Sequence, residues 1–89
     1  MKRSGTLTGT MTSDPYEIPH EAMIHMDGNF GGGTVTVQFL GQDSVWHDFS
    51  DDAGKQVYDA NATRVLDMIR RRTIRLSAVG VGSVYFDID

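Results

Sequence analysis

Three segments of the chain alternate apolar and polar residues with a period of two, and this limits the fold more than any other feature. In "GTVTVQF" Val35, Val37 and Phe39 alternate with Thr34, Thr36 and Gln38. In "TIRLSAV" Ile74, Leu76 and Ala78 alternate with Thr73, Arg75 and Ser77, and in "SVYFDI" Val84, Phe86 and Ile88 alternate with Ser83, Tyr85 and Asp87. Successive side chains of a strand point to opposite faces, so each segment reads as a half-buried strand. Between the last two lies "GVG". Because glycine takes positive φ without steric cost, the reading is an antiparallel hairpin turning through Gly80, Val81 and Gly82.

The rest of the chain carries weaker versions of the same signal. "SVWHDFSDDAGKQVYD" reads as a second hairpin, with Val45, His47 and Phe49 on one face, a turn at Asp51 to Gly54 and a return near Gln56 to Tyr58. Pro15 and Pro19 bracket a loop before "AMIHMD", a short strand. "ATRVLDMIRR" fits either a helix carrying Val65, Leu66 and Ile69 or a strand. It is short for a helix and lacks a stop signal, so strand is preferred over 63–70. In the leading "SGTLTGTMT", Leu7 and Met11 oppose Ser4 and the threonines, while Gly5 and Gly9 thin the packed face. Such a segment suits a sheet edge, or an arm that joins a neighbour's sheet through backbone hydrogen bonds.

About seven strands with turns every 8 to 12 residues give an all-β fold, a small antiparallel β-sandwich or jelly-roll-like barrel with an N-terminal arm free to extend. Residues 1–20 form the N-terminal strand or arm and its Pro-bracketed loop; residues 21–89 form the β-sandwich domain. A chain of 89 residues buries only roughly 60–65% of its unfolded surface. With no cysteine there is no disulfide or zinc–thiolate staple, which makes association with copies or partners an expectation. The net charge of −4 argues against a coat on nucleic acid, whose affinity rests on neutralising phosphates. No apolar run approaches the roughly 20 residues of a membrane span, and the start lacks a signal's apolar stretch.

Several residue groups invite chemical readings. "GNFGGG" (28–33) precedes a strand, whereas a phosphate loop needs a following helix N-terminus, so a turn or close backbone packing is favoured. In "HEAMIH", His20 and His25 stand five apart, where the zinc-protease motif needs four on one helix face. Asp48, Asp51 and Asp52 read as a solvated turn rather than a calcium loop. No metal, cofactor or catalytic constellation is expected, and the protein reads as a non-enzyme. Arg70, Arg71, Arg72 and Arg75 form the basic cluster. It reads as a charged rim protecting an edge or a contact for an acidic protein surface, ahead of a contact for nucleic acid. The lone Trp46 fills core space or lies on an outer face as a ligand contact.

"GGGTVTVQFLGQDSVWHDFSDD" and "RRTIRLSAVGVGSVYFDID" resemble the small β-sandwich virion proteins of tailed bacteriophages. In these an alternating valine strand leads to a tryptophan-bearing strand, and an arginine-flanked strand turns through glycines into a final one. The resemblance implies a virion protein assembled in the host cytoplasm that works by contact: a capsid decoration or cement protein, homo-oligomeric and bound to the major capsid protein or other virion proteins. A tail or fibre component, adaptor or glycan-binding, is the alternative. On this reading Arg70, Arg71, Arg72, Arg75, Thr6, Thr8 and Thr10 contact partners, and neither nucleic acid nor membrane is a partner.

Overall fold

A computed structural model describes residues 3–51, 54–67 and 71–89. Its strands are β1 (Arg3–Thr12), β2 (Tyr16–Ile18), β3 (Glu21–Asn29), β4 (Thr34–Leu40), β5 (Trp46–Asp48), β6 (Ser50–Asp51), β7 (Gly54–Lys55), β8 (Val57–Tyr58), β9 (Ala62–Asp67) and β10 (Arg72–Ile88). All pairings are antiparallel, and β6 with β7 forms a small ladder apart from the eight-stranded main sheet. The all-β antiparallel expectation holds, and "ATRVLD" is a strand, with Met68 to Arg70 outside the described residues.

The register shows how a few long tracks make the sheet. β1 and then β2 run along one edge of β10, pairing Arg3 with Ile88 and Ile18 with Arg72. Along the other edge run β3 and then β4, from Ile24 opposite Ile88 to Phe39 opposite Ile74. A last track of β5, β8 and β9 flanks β4 and β3. β1 and β2 thus belong to the main sheet, and the N-terminal segment takes an edge position on its own chain.

Seventeen residues of straight strand would extend about 55 Å, but the molecule's longest dimension is 33 Å. The link from Ile18, beside Arg72, to β3, whose Met23 pairs with Asp89, spans at most about 11 Å. Hence β10 is bent back toward its own start, and the sheet curls into a half-barrel whose two halves face one core.

The bend corrects one reading of the sequence and gives another its form. No hairpin forms through Gly80 to Gly82: β10 continues through them, held by Thr8 opposite Ser83, Gly9 opposite Val81 and Met11 opposite Ala78. "GNFGGG" holds a tight turn, with the Gly33 amide donating to the Phe30 carbonyl at 2.7 Å, but β3 and β4 on either side of it follow β10 in one direction. Glycines from three adjacent tracks meet at this level. Positive φ occurs at Gly9, Gly28, Gly31, Gly32 and Gly80. At Gly33 a Cβ would fall 2.2 Å from the Val79 carbonyl oxygen, so two backbones touch where a side chain would part them. Inward side chains step from Ala78 to Val81 to Val84 across the kink, in threes instead of twos. A bend built from non-local contacts leaves the same local signature as a turn, which is why the sequence reads as a hairpin.

The core has the predicted faces. Val35, Val37, Ile74, Leu76, Ala78, Val84, Phe86 and Ile88 are buried, joined by Leu7, Ile24, Met26, Leu66, Phe30 and Tyr58. Removing such aliphatic side chains from water contributes about 1.5–3 kcal/mol each. The hairpin expected around Asp51 to Gly54 forms only at its tip, as β6 and β7, while its expected arms, β5 and β8, pair with β4 instead of with each other. Of its expected inward residues, Phe49 is buried and packs edge-on to Phe39, His47 stacks on Phe39 near the surface, and Val45 is exposed in the β4–β5 turn. Pro15 and Pro19 enclose β2 rather than a plain loop.

Candidate functional site

On the outer face of the β4–β10 half, the register puts Arg75 beside Gln38 and Gln38 beside Asp48, with Trp46 two pairs further along β5. These neighbours form a chain of contacts. Arg75 Nε donates to Gln38 Oε1 at 2.8 Å, Gln38 Nε2 donates to Asp48 Oδ1 at 2.9 Å, and the Arg75 guanidinium lies 4.5 Å from the centre of the Trp46 ring. Stacking a cation on an indole face at a partly exposed site contributes about 0.5–1 kcal/mol. Trp46 is therefore on the outer side, half-buried, with one ring face already covered. The result is a flat, preordered surface of an aromatic, an arginine and two polar partners.

The start of β10 adds a second feature. Arg71 is exposed and paired with Glu17 at 2.6 Å. Arg72, on the other face, lays its guanidinium 4.7 Å from the Phe39 ring centre. Its Nε is buried without an acceptor among the described residues. Arg72 stands between two shallow clefts. One, of about 320 Å³, is lined by Glu17, Leu40, Gln42, Arg71, Arg72 and Thr73; the other, of about 490 Å³, lies against Phe39, Asp43 and His47. The cluster expected from sequence is thus divided: Arg71 and Arg72 mark the end of the sheet, Arg75 lies on its outer face, and Arg70 falls outside the described residues.

Within the second cleft, His47 Nε2 sits 3.1 Å from Asp43 Oδ2, and Val45 N–H donates to Asp43 Oδ1. The His47 contact and then the Val45 amide hold the Asp43 carboxyl below its ordinary range. Tyr58, buried under the sheet with Arg64 4.6 Å above its ring, has its hydroxyl pushed up to about 12 by burial, against the smaller opposing pull of Arg64.

The remaining candidates are dispersed. Thr6, Thr8 and Thr10 are exposed on β1, and Thr10 Oγ1 accepts from the Gly80 amide at 3.1 Å. His20 lies in the β2–β3 link and His25 in β3, so no helix joins them. His25 instead contacts Thr63 Oγ1 at 2.6 Å and Asp27 Oδ2 at 3.0 Å on the open sheet face. Asp48 is held by Gln38, while Asp52 lies outside the described residues. Among the described residues no group of three or more metal-ligating side chains gathers. Sequence reasoning missed Gln38 and Glu17; the polar position in each alternation was the available signal, but only the register reveals their partners.

No protein-family model and no curated protein matches the sequence. Among solved structures, the fold is similar to that of the SPBc2 prophage-derived protein YomS, with a TM-score of 0.68 and 12% sequence identity. The match covers 99% of this chain and 92% of that one. At this identity the likeness is one of fold.

Proposed function

We propose that the protein is a bacteriophage virion component, a decoration or cement protein that binds assembled shell subunits by surface contact rather than catalysing a reaction. The observation that carries the phage setting is the fold shared with a prophage-derived protein along nearly the whole of both chains. The surface chemistry supports docking. Interfaces concentrate their binding energy in tryptophan and arginine anchors surrounded by polar groups, and the Trp46, Arg75, Gln38 and Asp48 face offers such a set already ordered. Ordering before contact lowers the entropy lost on binding.

Arg71 and Arg72 are the contacts for an acidic partner: they stand together at the sheet end, Arg71 with its side chain exposed, and a guanidinium donates charge-assisted bonds to a carboxylate. The experiment compares the wild type with an Arg71→Gln/Arg72→Gln variant on virion shells prepared without this protein, counting bound copies at limiting concentration. Glutamine keeps part of each aliphatic stem while removing the charge. Losing a desolvated charge pair costs about 2–5 kcal/mol, so affinity falls tens-fold or more. Equal occupancy with both arginines changed would overturn the docking role.

A further inference from the structure

β1 has one free edge, and its chemistry identifies what fits there. Met23 and Asp89 exchange both backbone hydrogen bonds. Alternation along the antiparallel ladder then makes Asp87, Tyr85 and Ser83 the residues bonded to β3, and Leu7, Gly5 and Arg3 the residues of β1 bonded to β10. Ser4, Thr6 and Thr8 consequently turn their N–H and C=O groups away from the sheet. The Thr8 amide confirms the direction: it reaches the Met11 sulfur at 3.3 Å, a weak acceptor. From Ser4 to Thr12 this edge has no charged residue and no proline, the devices by which exposed edges ordinarily avoid pairing. The opposite edge is guarded, since Arg64 lies on β9 and the β6–β7 ladder stands apart from the main sheet beside β5 and β8.

We propose that this edge pairs with the same edge of a second copy, antiparallel about a two-fold axis at Thr6. In that register Thr6 faces Thr6 and Ser4 faces Thr8, and each facing pair exchanges two backbone N–H···O=C bonds. Uncharged hydroxyl-bearing neighbours meet on the outer face, an arrangement that favours cross-strand pairing. Arg3, whose guanidinium is tied to the Glu17 carbonyl at 3.0 Å, faces Gly9, which offers no side chain or charge. The positive φ of Gly9 bends the strand away and limits pairing to the Ser4–Thr8 stretch. A two-fold contact of this kind is closed, so it gives a dimer and not a fibre. The inference deepens the assembly role above and rests on it only for its biological setting.

The test uses the isolated full chain and therefore separates from the shell-binding experiment. Sedimentation of the wild type shows a concentration-dependent dimer. Thr6→Lys and Thr6→Glu each place like charges across the axis and weaken the dimer by at least about tenfold. Mixing the two restores it, as opposite charges then face each other. Circular dichroism of each variant remains that of the wild type, because Thr6 does not bond to β10. Thr6→Pro removes only an outward N–H and also gives a folded monomer. A wild type that stays monomeric, charge variants that dimerise unchanged, or a mixture that fails to recover overturns the proposal.

Discussion

Alanine substitutions at two neighbouring glycines have opposite reasons to matter, and together they probe the bend. At Gly33 an added Cβ falls 2.2 Å from the Val79 carbonyl oxygen and 2.5 Å from both the carbonyl carbon and oxygen of Gly80. That is more than an ångström inside the separation of about 3.5 Å where such contacts become favourable. All three obstacles are backbone atoms of β10, which cannot rotate aside. Overpacking typically costs about 1–3 kcal/mol, and an obstacle of this kind places Gly33→Ala at about 3 kcal/mol or more. Gly32 has a φ of 82° but nothing within 4 Å of its Cβ position, so Gly32→Ala bears only the left-handed penalty of about 1 kcal/mol. For a domain this size each kcal/mol lowers Tm by roughly 4–8 °C. Thermal unfolding followed by circular dichroism is therefore expected to place Gly33→Ala at least about 8 °C below Gly32→Ala. Were residues 28–33 a free turn, Gly33→Ala would stabilise slightly by restricting the unfolded chain. A Gly33→Ala protein as stable as wild type would refute the close approach of the two tracks.

Three further outcomes follow from the side chains. Arg75→Met removes the guanidinium from Trp46 and the bond to Gln38; tryptophan emission shifts, while Tm falls only slightly because a partly exposed cation–π contact contributes about 0.5–1 kcal/mol. Asp43, whose folded pKa lies below its ordinary 3.8, stabilises the turn fully above that value and loses the contribution as pH falls through the folded pKa. A carboxyl NMR titration of His47→Ala should move the Asp43 midpoint back up. Tyr58 titrates near 12 against an ordinary 10.0, so its burial stabilises the fold below pH 10.0 and that contribution declines as pH rises toward 12. Phenolate absorbance should show a tyrosine ionising well above the ordinary 10.0, and Tyr58→Phe should remove that component.

The strand pleat is a local property, and for that reason the sequence by itself determined which residues of 34–39, 73–78 and 83–88 face the core. Leu76 and Val84 are buried and Tyr85 exposed, as the period of two requires. Composition likewise made the N-terminal segment an edge. Glycine chemistry was legible only as permission to deviate: Gly80 and Gly82 allow a reversal or a bend equally well. What selected the bend was the continuous partner on each side, β1 on one edge and the β3–β4 track on the other, whose residues lie dozens of positions away. The same holds for the candidate site. Trp46 and Arg75 stand 29 positions apart in the chain, and their stacking follows from the pairing of Leu40 with Trp46 and of Gln38 with Arg75. Alternation sets the face on which a side chain emerges, while register, which depends on the packing of every strand at once, sets what it meets there.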